Sequence, residues 1–242
     1  KAVYDVQITD ALNEAKDNVK YLSTLESHTV QLYEGTPNSI VDSLPGLLTH
    51  LKMMYGIARF YNTPEQMTTL FIKITNQMIV NCKDFICNGK MGTASYMSPW
   101  DQEPSALLKK LQAGIDLNDA YKDAYRNIRD RTAPGNGRQP FDFSENQIFG
   151  KLDLCCKRFE KLTDLFTTVE QFRSLSDYNI EGMDNLIATF NKIVEELRVK
   201  PYSLLDFQKN QFDRDYVEFN INIHELELAL QGFINSSFEN IM

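Results

Sequence analysis

The fold is decided by residues 148–169, which read IFGKLDLCCKRFEKLTDLFTTV. On an α-helix of about 3.6 residues per turn, residues spaced alternately by four and three form one continuous stripe. Charged side chains such as Lys151, Arg158 and Asp164 lie between the apolar positions, where they would face water or a neighbouring helix. The pattern predicts a long amphipathic helix that packs against other helices. Its apolar stripe consists of Ile148, Leu152, Cys155, Phe159, Leu162, Phe166 and Val169.

Most of the remaining chain shows the same helical spacing. Thr63 and Pro64 are expected to begin one helix, with Thr63 as its N-cap, Pro64 as its first residue and Gln66 completing a capping box. Ser43 is the expected cap of another helix, which carries Pro45 in its first turn. Helices are predicted over approximately residues 6–33, 43–61, 63–88, 102–128, 142–169 and 180–199.

The last segment carries two conflicting patterns. Apolar residues alternate with polar ones from Val217 to Ile223, which is typical of a strand. Helical spacing returns at Leu226, Leu230 and Phe233. Because every other predicted element is helical and no partner strand is evident, we expect the whole segment, residues 217–223 included, to be a helix.

Residues 132–140 read TAPGNGRQP, the clearest linker in the chain. We place a boundary there, between one helical bundle at residues 1–131 and a second at residues 141–242. The expected fold is therefore all-α, an elongated array of long antiparallel amphipathic helices that form two consecutive bundles. The chain begins at Lys1 rather than at a methionine, so we expect either a piece of a longer chain or a processed terminus.

Composition excludes several classes of partner. The 242 residues carry a formal net charge of −8, which argues against nucleic-acid binding because such binding depends on Lys and Arg contacts to phosphate. No run of about 18 apolar residues is present, so no membrane partner is expected. The spacing of Cys82, Cys87, Cys155 and Cys156 matches no zinc motif. We expect these four residues to be reduced thiols in the core.

Motifs for catalysis are absent from the sequence. The chain has no P-loop, no Gly-x-Ser-x-Gly nucleophile elbow and no His-Glu-x-x-His zinc motif. No Glu-x-x-His pair of a di-iron bundle occurs either. His28, His50 and His224 stand far apart in the sequence and are expected on the surface or in structural roles. We therefore predict no catalytic residues, no metal and no cofactor, and a function that depends on surfaces.

Four stretches in order along the chain resemble the N-terminal tail region of dynein heavy chains. The similarity is greatest to axonemal outer-arm heavy chains of the gamma type, and it extends over nearly the whole chain. The stretches are RFYNTPEQMTTLF at residues 59–71, residues 100–125 with their LNDAY, FDFSENQIFG at residues 141–150, and FDRDYVEF at residues 212–219.

The resemblance implies a non-catalytic tail segment, distant from the AAA+ ATPase ring and from the microtubule-binding stalk of the parent motor. Its implied role is that of a scaffold for assembly and docking of the motor complex in ciliary microtubule-based movement. The implied partners are dynein intermediate chains with their light chains and neighbouring heavy chains, without direct microtubule binding by this segment. The implied location is the cytoplasm and the outer dynein arm of the ciliary axoneme. The alternatives are a free-standing helical scaffold or tethering module unrelated to dynein, and a helical enzyme with dispersed site residues.

Partner contacts are expected on apolar residues that the bundle cores do not need. Each candidate also suits a core position or a loop anchor, and burial of all five would rule the placement out. The candidates are Tyr96, Met97 and Trp100 in the loop region, and Phe219 and Ile223 on the side of the last helix away from its apolar stripe.

Overall fold

The computed structural model describes residues 2–131, 139–177 and 183–239. Within these ranges the chain is helical and contains no strand, which confirms the all-α prediction, including helix at residues 217–223. Elongation, antiparallel order and the division into two bundles stay predictions. The elements are α1 (Ala2–Ser23), α2 (Glu26–Glu34), α3 (Pro37–Ile57), α4 (Pro64–Ile86), a 3₁₀ helix (Pro99–Asp101), α5 (Pro104–Asp130), α6 (Glu145–Asp177), α7 (Asp184–Arg198) and α8 (Gln211–Glu239).

The start of α3 differs from the prediction. Thr36 caps this helix: the Ser39 amide donates to the Thr36 hydroxyl at 3.3 Å, and the Thr36 amide donates to the Ser39 hydroxyl at 2.9 Å. Ser43 lies inside α3 and donates its hydroxyl to the Ile40 carbonyl at 2.9 Å, so the predicted cap at Ser43 is wrong. The reciprocal pair at Thr36 and Ser39 satisfies two terminal amides, and the helix continues through Pro45.

The start of α4 agrees with the prediction at Thr63 and Pro64, and of the expected capping box the structure shows the bond to the Thr63 hydroxyl. Thr63 is the N-cap, Pro64 opens the helix, and the Gln66 amide donates to the Thr63 hydroxyl at 3.4 Å. A cap of this kind satisfies one of the amides that a helix leaves without an intrahelical partner. Local sequence is therefore sufficient to predict this boundary.

The helix predicted over residues 6–33 is two helices. The amides of Thr24 and Leu25 donate to carbonyls only three residues earlier, at 3.1 and 3.0 Å, and the Thr24 hydroxyl donates to the Tyr21 carbonyl at 2.6 Å. These tighter bonds end α1 at Ser23, and α2 begins at Glu26. Leu25 and Leu32 are then buried, with 3% and 2% of their surface exposed.

The stripe on α6 is the buried side of that helix, as predicted. All seven stripe residues are at most 3% exposed. The buried side is wider than the stripe, since Phe149, Cys156, Arg158 and Leu165 are also buried. Because so broad a face of α6 is buried, side chains from several other elements must pack against it.

Two compact units emerge from the contacts, residues 1–97 with 110–159 and residues 98–109 with 160–242. In the first unit, Phe141 and Phe143 pack into an aromatic core: the rings of Tyr55 and Phe143 have centroids 5.1 Å apart, and those of Phe71 and Phe141 lie 6.0 Å apart. These contacts join residues that follow the expected linker to helices that precede it. The two units found from contacts therefore differ from the division expected at residues 132–140. Residues 132–138 lie outside the described ranges. Separate folding of residues 1–131 and 141–242 stays a prediction.

The second unit is built on α7, α8 and the later part of α6. The rings of Phe172 and Phe190 stack with centroids 4.3 Å apart, and Trp100 packs on Phe166 at 5.0 Å. Every second turn of α7 supplies a buried residue, Met183 just before the helix and then Phe190 and Leu197. The described part of α7 begins at Asp184, and the predicted start at Ile180 lies outside the described residues.

Candidate partner-binding surfaces

The described residues contain no cluster of three or more metal-ligating side chains. All four cysteines are free and buried. Burial raises the pKa of the Cys82 thiol to about 12 and also raises the pKa of the Cys155 thiol. The thiolate is the reactive form, so burial disfavours reaction at Cys82 and Cys155, which serve as packing residues.

Two histidines that are distant in the sequence meet in the structure. Nε2 of His28 on α2 lies 3.2 Å from Nδ1 of His50 on α3, and Nδ1 of His50 lies 2.8 Å from the Gly46 carbonyl. Because a carbonyl can only accept, Nδ1 of His50 carries the proton and His28 accepts through Nε2. A β-carbon at Gly46 would lie 2.7 Å from Cε1 of His28, so glycine at this position lets the ring rest on α3. Sequence spacing gave no signal for this pair.

The loop candidates lie partly exposed. Tyr96 is half-buried and Met97 is 40% exposed. The Met97 amide donates to the Cys87 carbonyl at 2.8 Å, which anchors this part of the loop to the end of α4. Trp100 is half-buried in the second unit against Phe166. All three therefore have anchoring contacts, and their role in binding a partner stays a prediction.

The candidates on α8 are not where the sequence placed them. Phe219 and Ile223 are buried, at 4% and 6% exposure, so the expectation that they lie on a free face of the helix is wrong. Residues two apart on a helix point about 200° apart, so neighbours in an alternating pattern face opposite sides. The free side of α8 carries Val217, Ile221 and Leu228, which we name the α8 outer row.

A second apolar row lies on α1. Its members share one face of the helix by their spacing, and that face is open to solvent. The half-buried residues of α1 are polar or amphipathic: Asp17 pairs with Arg59 at 3.5 Å, and Glu14, Asn18 and Tyr21 are also half-buried. A soluble amphipathic helix normally turns its apolar side inward, so α1 reverses the usual arrangement. The α1 outer row consists of Tyr4, Ile8, Leu12, Val19 and Leu22.

Comparison with known proteins gives one consistent family. The family described as "Dynein heavy chain, N-terminal region 1" matches residues 1–242. The chain belongs to this dynein family. It is 47% identical over 239 residues to the dynein gamma chain of the flagellar outer arm of Chlamydomonas reinhardtii, covering 98% of this chain and 5% of that protein. It is 40% identical over 238 residues to human dynein axonemal heavy chain 8, with the same coverage of the two chains.

The family match confirms the resemblance found in the sequence and does not favour a scaffold unrelated to dynein. The chain spans about 5% of the length of these relatives, and they are flagellar and axonemal dynein chains by name. As an N-terminal region, the segment is distinct from the AAA+ motor domain. No helix among the described residues is long and apolar enough to cross a membrane.

The stretches that carried the dynein resemblance hold structural positions. Thr63 caps α4, Phe141 and Phe143 fill the aromatic core, and Phe212 is 1% exposed at the start of α8. The outer rows lie mostly outside these stretches. The residues that identify the family are thus residues of the fold, whereas the exposed apolar faces had to be found in the structure.

Proposed function

We propose that this segment is a non-catalytic scaffold in the tail of an axonemal outer-arm dynein heavy chain. It holds subunits of the motor complex together and takes part in docking the motor. Its partners are dynein intermediate chains with their light chains and neighbouring heavy chains, and it makes no direct contact with microtubules. It acts in the cytoplasm during assembly and in the outer dynein arm of the ciliary axoneme.

The observation that carries this proposal is the α1 outer row. Tyr4, Ile8 and Val19 are 71%, 67% and 70% exposed, although a helix of this spacing is suited to pack against another helix. Exposed apolar rows of this extent favour contact with a protein partner. The absence of a metal-binding cluster among the described residues leaves surfaces as the feature to which a function can be assigned.

Tyr96, Met97 and Trp100 are secondary candidates for the same role. Met97 is 40% exposed, and Met91 in the same loop is 71% exposed. Methionine adapts its shape to a partner because its side chain is unbranched and flexible. A partner that covers the loop would add these side chains to its contact area.

The test is binding of the purified 242-residue chain to purified dynein intermediate chain–light chain complexes and to a second heavy-chain tail, measured as the mass of the complex by light scattering. The double variant Ile8→Glu with Val19→Glu places charges in the α1 outer row. We expect it to weaken binding by tenfold or more, which corresponds to about 1.4 kcal/mol. Lys20→Glu is the control, because Lys20 is exposed on α1, is not one turn from any member of the row, and its substitution gives the same change in charge.

Circular dichroism should show equal helix content in the two variants. Binding lost in the double variant and kept in Lys20→Glu supports the scaffold role of this face. A wild-type chain that stays monomeric with every one of these partners contradicts the proposal.

A further inference from the structure

Helix α8 has apolar residues on two opposite sides. One side is buried in the second unit through Phe212, Phe219, Ile223 and Leu226. The other side is the α8 outer row, where Val217, Ile221 and Leu228 are 59%, 56% and 61% exposed. A helix that is apolar on two sides is typical of one packed between two partners. Among the residues that the structure describes, only the first side of α8 is covered by other parts of the chain.

The charge beside the outer row is predominantly negative, with exposed Arg214 as the one Lys or Arg residue of α8, at the N-terminal end of the row. From Asp215 to Met242 the sequence contains no Lys or Arg, while it contains five carboxylate residues. Asp215 is engaged by Tyr202, whose hydroxyl donates to it at 2.6 Å. Glu218, Glu225 and Glu227 are exposed beside the outer row.

The position of these carboxylates follows from helix geometry. At about 100° per residue, Glu218 and Glu225 lie along one edge of the outer row and Glu227 along the other. His224 completes the row between Ile221 and Leu228, one turn from each. The face is thus an apolar line about three turns long with acidic edges.

We propose that the α8 outer row is a docking face for a basic amphipathic helix of a separate subunit of the dynein complex. The apolar line requires an apolar stripe on the partner, and the acidic edges require Lys or Arg on both sides of that stripe. The inference rests on the proposed scaffold role and names the class of partner for one of its faces. Nucleic acid and anionic lipid are disfavoured occupants because their phosphates would meet the same carboxylates.

The first experiment uses two amphipathic helical peptides of about 20 residues, long enough to cover the row. The peptides share one leucine stripe and differ only in flanking residues, which are Lys in one and Glu in the other. Fluorescence anisotropy measures their binding to the 242-residue chain. We expect the Lys peptide to bind at least about tenfold more tightly than the Glu peptide, and its affinity to fall as salt is raised.

Variants of α8 identify the face that binds. Ile221→Glu should weaken binding of the Lys peptide about tenfold, and Glu218→Lys together with Glu225→Lys should remove the preference for the Lys peptide. Ala229→Glu is the matched control, since Ala229 is exposed on α8 outside the outer row. Equal binding of the two peptides, or unchanged binding after Ile221→Glu, overturns the proposal.

The second experiment separates this inference from the proposed function. Purified intermediate chain–light chain complexes are tested with the wild-type chain and with Ile221→Glu. Weaker binding of the variant supports docking at α8, and equal binding by both rejects the α8 face while the scaffold role stands. If the wild-type chain binds no dynein subunit, the scaffold role itself is rejected. The α8 face is then also rejected as the docking site of a subunit.

Discussion

At the residue scale, the hydroxyl of Tyr125 connects α5 to the segment that leads into α6. The Phe143 amide donates to this hydroxyl at 2.7 Å, and the hydroxyl donates to the Phe143 carbonyl at 3.2 Å. Burial raises the pKa of Tyr125 to about 12, so the phenol stays protonated and keeps its donor near neutral pH. Both backbone groups of Phe143 are thus satisfied by one side chain, which positions Phe141 and Phe143 in the aromatic core.

Tyr125→Phe should destabilise the first unit, because it removes both bonds and leaves two backbone groups of a buried residue without their partner. We expect a loss of about 1–3 kcal/mol in the free energy of unfolding. This loss is measured by urea unfolding, with helix content as the signal because it does not depend on tryptophan. Tyr121→Phe on the same helix is the control: its buried hydroxyl lies beside Thr75 without a hydrogen bond of good geometry, so its removal should cost clearly less. Equal losses in the two variants would contradict this assignment.

Sequence reasoning reached individual residues where the determinant is local. Thr63, Pro64 and Gln66 lie within four residues, and the predicted N-cap at Thr63 is present. The pair of His28 with His50 and the clamp of Tyr125 on Phe143 depend on helices that meet only after folding. Neither could be read from spacing along the chain.

At the element scale, the stripe of α6 is the main apolar surface shared by the helices. Phe159 is fully buried and its ring occupies the space beside Gly114, where a β-carbon would lie 2.9 Å from the ring. Phe159→Ala should therefore cost about 3–5 kcal/mol through lost burial and a residual cavity. Leu154→Ala is the control, since Leu154 lies on the same helix and is 56% exposed. A midpoint of urea unfolding that shifts equally in both variants would contradict the assigned roles of the two faces.

The contact of α2 with α3 should depend on pH through His28. Burial is the main cause that lowers the pKa of His28 below its ordinary value of 6.5, and the nearby His50 lowers it further. The unfolded chain therefore binds a proton more readily than the folded chain, and this contribution to stability is present above about pH 6.5 and is lost as pH falls toward the lowered pKa. Protonated His28 would also turn an N–H toward the N–H of His50.

Hydrogen exchange of the α2 amides tests this dependence. After correction for intrinsic exchange rates, protection in the wild type should fall between about pH 7.5 and 5.5, whereas His28→Gln should show a smaller fall. His224→Gln should behave as the wild type, because His224 is 71% exposed and lies on α8. The same fall in wild type and in His28→Gln would show that another group is responsible.

Two elements show why periodicity did not assign faces correctly. On α8, the alternation from Val217 to Ile223 arises because one helix presents apolar residues to two opposite sides. On α1, spacing along the helix shows which residues share a face, whereas only the structure shows that this face is exposed. Periodicity specifies which side chains lie together, and only the surrounding helices decide which side is covered.

At the scale of the whole molecule, the described residues form helices that expose apolar rows on α1 and α8. The family match covers residues 1–242, and the all-α class and the dynein resemblance were both accessible from the sequence. The exposed apolar rows that we propose as partner surfaces were not, and two of the five residues predicted to bind partners are buried. Burial depends on the complete packing of the chain, which a single sequence does not display.

The central claim is that this segment contributes binding rather than catalysis to the motor. The most direct measurement is made on outer-arm dynein purified from cells whose heavy chain carries Ile8→Glu with Val19→Glu, with Lys20→Glu as the control strain. The account predicts that the double variant loses associated subunits in sedimentation, while the ATPase rate per heavy chain is unchanged. A complete complex with an unaltered set of subunits in the double variant, or an ATPase rate that falls with composition intact, would contradict the account.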